Sequence, residues 1–456
     1  MRNLVFCALT VVVLSVPVIV GLGNISASAT ENPSGRVPNS SKQGRIIQAN
    51  PLNYKTLLAT LRAGDTLNLQ SGIYRKGLTL PPLHGKPNRP ITITGPADRS
   101  AQILARKCCN TVNFKSASYI VVQNLTLDGQ NIPNVDGVKS VGATHHITIQ
   151  NLKIINHGAT QQTVGISTKA PAWNWVIRNN VIIGAGTGLY LGNSDGKAPF
   201  VHGVIEYNRV VNPVGYAMQI KHQKPRPRLA GMPTHKGATI IRYNVFQKDQ
   251  QPKKGFQGSR PNLLVGHLPT RGPGIEDYYD IYGNFLYQNK SNESLFQGEG
   301  NFGFHNNVLV NDYGSGIRIQ RHNDRPRRIR VFNNTIIARD TGIYVNDGYP
   351  EFKQSVIANA VFSGLGIQSF DHQHNVVDEY EAAGKYLTSY KGGIAKLTLY
   401  PQKGKLLGDL IDLQRFSQYA DYKKDFNRNS RDGVYRGAYV WAGNNEIKSP
   451  ALSLLK

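Results

Sequence analysis

Six short stretches end on side chains that can move protons or hold charge. They read GLYLGNS, YAMQIKH, NLLVGHL, SLFQGEG, GIRIQRH and GIYVNDG. Aligned on the apolar pairs Leu189/Leu191, Met218/Ile220, Leu263/Val265, Leu295/Gln297, Ile317/Ile319 and Ile343/Val345, they put Asn193, His222, His267, Glu299, Arg321 and Asp347 at one equivalent position. The position before it holds Gly192, Lys221, Gly266, Gly298, Gln320 and Asn346. An imidazole titrates near neutral pH and suits a general base. Arg321 and Lys221 suit a carboxylate that must be neutralised while a neighbouring proton leaves. Together they describe β-elimination from a uronate, with His222 or His267 as base and a tyrosine or the protonated histidine as acid. Epimerisation shares the first step. Glu299 and Asp347 offer a different chemistry. Two repeats apart, their backbones are ~9.6 Å distant, near the roughly 6.5–9.5 Å of an inverting acid/base pair.

These groups meet only if the strands that carry them stack in register. The sequence supplies a repeat that would do this. An asparagine precedes a short apolar stretch at Asn124, Asn151, Asn180, Asn208, Asn244, Asn284, Asn307, Asn334 and Asn359, at intervals of 27, 29, 28, 36, 40, 23, 27 and 25 residues. Each repeat has room for two or three strands, and no helical period of useful length runs through 100–375. A repeat of this size with β-branched strands and Asn or Gly turns predicts an all-β, parallel β-helix, one coil per repeat. Asn tolerates the left-handed backbone of a tight corner, and its amide can bond to the next coil's Asn. A short amphipathic helix over Tyr54–Leu61 is expected to cap the open N-terminal end, and 378–456 an irregular C-terminal cap and tail. The β-helix itself is expected over 47–377.

The longest intervals follow His222 and surround His267. Their loops, 223–237, 248–261 and 269–277, carry Arg226, Arg228, Lys253, Lys254 and Arg271. Insertions of this kind gather on the binding face of a solenoid, so these cations are expected to wall a groove. Arg318, Gln320, His322, Asn346 and Asn193 are expected to line it. The 53 Lys and Arg outnumber the 28 Asp and Glu, giving a formal net charge of +25. Residues 1–29 read as a secretory leader with an apolar run at Leu4–Val20 and a small-residue cleavage site at Ala27-Ser28-Ala29. Losing it removes one charge, Arg2, and leaves +24. Residues 30–46 are polar and read as flexible. No later segment is apolar enough to span a bilayer. A periplasmic or secreted, monomeric basic protein meets acidic polysaccharides rather than nucleic acid. Cys108 and Cys109 have no metal-ligand spacing and read as a small buried pair without chemistry. No cofactor is expected.

With AGDTLNLQSGIYRKGLTL and PNRPITITG as an opening, and FNNTIIARDTGIYV as a generic coil, the chain resembles the right-handed parallel β-helix superfamily of exported carbohydrate-active proteins. That group includes pectate lyases, the chondroitinase B and alginate lyase type, polygalacturonases and alginate epimerases. The resemblance spans about 46–375 and implies the fold. It carries no catalytic set across. The acidic calcium cluster of pectate lyases has no match here, so calcium has no motif behind it, and the paired aspartates and Gly-His-Gly of polygalacturonases are missing. The expected function is a lyase of an acidic polysaccharide. The alternatives are an inverting glycoside hydrolase, a uronate epimerase, and a non-catalytic glycan-binding or cell-envelope assembly protein.

Overall fold

The computed structural model describes residues 44–252, 259–346, 348–440 and 450–455, which lie in one compact unit starting at Gly44. The expected leader, residues 30–43, Lys253, Lys254 and Asp347 lie outside the described residues. The chain is a right-handed parallel β-helix. Among the described residues its strands form three parallel sheets of 15, 12 and 11 strands. Sheet one runs from Ile46–Ala49 to His372–Gln373, sheet two from Gly72–Tyr74 to Val376–Asp378, and sheet three from Leu78–Thr79 to Ile367–Gln368. Most coils contribute one strand to each sheet.

Alternation drives this arrangement. Every second residue of a strand points inward, and in a parallel stack identical positions fall on one another. In sheet one Val122, Ile149, Ile177, Ile205, Ile241, Ile281, Phe304, Val331 and Val356 pair coil to coil. All are buried. The N-terminal end is closed by a helix that covers Tyr54–Leu58, three residues shorter than expected, with Tyr54 and Leu58 buried against the first coil.

The asparagine corner does two jobs, and the structure divides them between neighbours. Asn180, Asn208, Asn244, Asn284, Asn307, Asn334, Asn359 and Asn375 form an internal ladder. Each Nδ2 donates to the next coil's Oδ1 at 2.9–3.1 Å. The residue just before each ladder asparagine takes the positive φ: Asn179, Tyr207, Tyr243, Gly283, Asn306, Asn333, Ala358 and His374. Asn124 and Asn151 belong to this second set, with φ of 58° and 55°. Leu125 and Leu152 hold the ladder position in their coils, and the Leu152 amide donates to Asn180 Oδ1 at 3.0 Å. The interval of 29 between Asn151 and Asn180 mixes the two jobs.

The C-terminal cap is irregular, with 3-10 turns at Tyr380–Lys385, Ile394–Lys396 and Leu413–Phe416. Much of it lies along the flank rather than over the end. Ala383, Leu387, Leu399, Phe426 and Tyr439 cover Val245, Phe285, Val308 and Phe362 of sheet two. Leu413, Phe416 and Tyr419 cover Phe332 and Ile357 at the edge of sheet one. These apolar contacts fall on sheets two and one and not on sheet three. Cys108 and Cys109 are not a buried pair. Their sulfurs are bonded to each other on a surface turn with Cys108 exposed.

Candidate active site

The outer face of sheet three holds the candidate site, and its register corrects one assignment. Met218 pairs with Leu263, Leu263 with Phe296, and Phe296 with Ile317. The inward pair of that coil is therefore Phe296/Gly298, not Leu295/Gln297. A one-residue slip sends every side chain to the other face. Glu299 consequently stands in line with Lys221, Gly266, Gln320 and Asn346. Gly300 stands in line with His222, His267 and Arg321. Leu295 misled because it is buried too, one step ahead of the strand Phe296–Gly298.

Lys221, His222, Gly266, Gln297, Glu299, Gln320, His322 and Asn323 surround a pocket of about 160 Å³, joined by Tyr216 and Ser194. His222 is half-buried at its rim. Its ring stacks on His267 of the next coil, centroids 5.5 Å apart. Burial, then His267, lowers the His222 pKa, while Glu299 opposes this. The imidazole is therefore held neutral, as a base requires. Burial and nearby Arg260 lower the Lys221 amine, whose Nζ reaches Gln219 Oε1 at 3.5 Å. Burial raises the Tyr216 phenol, which keeps its proton and can serve as an acid. Gly266 is needed for closeness, since a Cβ there would fall on the His222 backbone.

Other expected site residues have different work. Glu299 is buried, and its carboxylate is filled from the neighbouring loop. Oε1 accepts the backbone N–H groups of His322 at 2.9 Å, Asp324 at 2.6 Å and Asn323, and Oε2 accepts Asn323 Nδ2 at 3.2 Å. It clamps the loop that brings His322 and Asn323 to the pocket, so it is not a free acid or base. His267 is buried with Nδ1 bonded to Leu268 O at 2.9 Å, so it backs His222 rather than reaching the pocket. Arg321 is exposed outside the pocket lining. Arg226 is no groove wall. It is buried in an ion pair with Asp277, which His202 and the Gly237 amide also hold, and it donates to Pro233 O at 2.8 Å. Buried charges need such pairing. Arg228 lines a separate, mostly apolar cleft with Leu229, Met232 and Pro273.

Arg318 is exposed, its guanidinium over the Tyr344 ring at 5.2 Å, and Tyr344 Oη donates to Asn346 Oδ1 at 3.2 Å. Asn193 accepts from the Ser194 amide and shapes the turn before the pocket. Arg271 is exposed on its loop. Sequence reasoning missed Tyr216 and Gln297. Gln297 was legible from alternation, once Phe296 is taken as inward. Tyr216 sits outside the strands, and only its loop brings it in. Among the described residues no group of three or more His, Cys, Asp or Glu side chains is placed to hold a metal ion.

No protein-family model matches the chain, and no curated protein matches it. Solved structures do. The GH136 lacto-N-biosidase from Eubacterium ramulus aligns at 10% identity over 74% of this chain and 68% of its own, with a TM-score of 0.49. Pectate lyase Pel9A aligns at 12% identity over 88% and 98%, TM-score 0.46. The PL6 alginate lyase AlyGC aligns at 14% identity over 79% and 56%, TM-score 0.44. The chain is similar to right-handed parallel β-helix carbohydrate-active proteins, and the likeness is one of fold.

Proposed function

We propose that this protein is an exported lyase that cleaves an acidic polysaccharide by β-elimination in the sheet-three pocket. The observation that carries the reading is the Lys221–His222 pair at the rim of one pocket, with the imidazole beside the amine. Lys221 engages the uronate carboxylate and stabilises the charge that develops as the adjacent C5 proton leaves. His222 takes that proton. Tyr216 gives a proton to the departing glycosidic oxygen, and a C4–C5 double bond remains. An epimerase would use the same first step. The inverting hydrolase is less well supported, because Glu299 already accepts three backbone N–H groups.

The test is to incubate the purified protein with a panel of uronic-acid polysaccharides and follow ultraviolet absorbance of the unsaturated product. Product that disappears in His222→Ala supports elimination. New reducing ends without the chromophore would point to hydrolysis, and binding without either to a glycan-binding protein.

A further inference from the structure

The row that holds Lys221 continues toward the N-terminal coils with a regular composition. Lys115 pairs with Val141. Extending the Lys139/Ser167 pairing by two residues sets Val141 beside Lys169. Extending Ser167/Tyr190 likewise sets Lys169 beside Gly192, and the Gly192 amide donates to Thr168 Oγ1 at 2.9 Å. One step past Leu191/Ile220, Gly192 lies beside Lys221. The row reads Lys115, Val141, Lys169, Gly192, Lys221. A lysine stands on every second coil, ~9.6 Å apart at the ordinary strand spacing.

The coils between offer no free charge in this row. Val141 is 49% exposed and apolar. Lys139, in the neighbouring row, is matched by buried Asp136 at 3.3 Å. Tyr190 occupies the coil between Lys169 and Lys221, with their Nζ atoms 4.8 Å and 5.6 Å from its ring centroid. Cation–π attraction holds both ammonium groups in place. Lys169 keeps its position with a φ of 35°, an uncommon backbone for lysine. Burial lowers both amines, so each is partly stripped of water.

We infer that this row grips a linear polysaccharide whose anionic group recurs on every second sugar, an alternating copolymer of a uronic acid and an uncharged sugar. Two rings of an extended chain span about the distance between successive lysines. The uncharged ring then faces Val141, or crosses the coil in which Gly192 is buried. A homopolyuronate puts a carboxylate on every ring, and those that cross these two coils lose water without gaining a partner. The inference rests on the proposed polysaccharide groove and adds its substrate class.

Binding separates the two readings. His222→Ala protein, which leaves the lysine row intact, is titrated at low salt with hyaluronan and with polygalacturonate of matched length. The alternating polymer is expected to bind about tenfold tighter, against the order of charge density. Lys115→Gln and Lys169→Gln each weaken hyaluronan binding about fivefold. Lys153→Gln, which removes an exposed cation from sheet two, leaves it unchanged. Equal or tighter binding of polygalacturonate, no effect of the two sheet-three lysines, or no binding of either polymer overturns the inference. Absence of unsaturated product from the unsubstituted protein would instead defeat the elimination chemistry while leaving any binding preference standing.

Discussion

At the residue scale, His222 and Glu299 divide the chemistry from its support. His222 is neutral because burial and His267 disfavour its charge. The base form therefore persists below the ordinary imidazole pKa. The acidic limb of kcat/KM against pH is expected to fall below about 6.5. A limb well above that value would assign the base elsewhere. His222→Ala should lower kcat by about 100-fold or more, with little change in polymer binding. Glu299→Gln removes a charge that three backbone amides share. It is expected to cost about 1.5–3 kcal/mol of stability and to lower activity by releasing His322 and Asn323. Unchanged melting in that variant would contradict the clamp. The clamp was not legible from residue type alone. Glu299 has the chemistry of a catalytic acid, and only its loop partners show that its oxygens are occupied.

At the scale of elements, the coil repeat was readable because parallel stacking imposes the same alternation on every strand. The Asn corners and the shared register of the strands that carry Lys221, His222, His267 and Arg321 followed from that. What failed was register at two places. At SLFQGEG, Leu295 is buried although it precedes the inward pair, so hydrophobicity pointed one residue early. At Asn124 and Asn151, one residue type serves both the left-handed corner and the ladder, so counting asparagines merged two positions. Long loops were the other limit. Arg226 looked like a groove cation, and its partner Asp277 lies 51 positions further along the chain. The division of labour at the corner can be measured. Asn284→Ala orphans the Asn244 backbone amide inside the core, while Asn244 Nδ2 keeps Ile205 O, and should cost about 3 kcal/mol. Asn151→Ala meets only the left-handed penalty and should cost about 1–2 kcal/mol. Equal losses in urea denaturation would argue against two separate jobs.

At the scale of the whole molecule, the C-terminal segment covers flanks of sheets two and one rather than sheet three. Several half-buried or buried imidazoles are spread along the solenoid. Burial, then His146 and His84, pushes His145 down to about 4, and burial lowers His146, His157 and His222 as well. The unfolded chain binds protons at these sites from about pH 6.5 downward while the folded chain does not. Stability is therefore expected to be full above pH 6.5 and to decline as pH falls toward 4. Thermal melting at pH 7, 5.5 and 4.5 should show a falling midpoint, and a rising one would contradict the burial of these rings. The central claim is that sheet three presents Lys221 and His222 to a uronate. Its most direct test is a crystal structure of His222→Ala with an acidic oligosaccharide. The expected result is a uronate carboxylate about 3 Å from Lys221 Nζ, its C5 hydrogen aimed at position 222. An oligosaccharide seated on another face, or on sheet three with Lys221 left unengaged, would contradict the account.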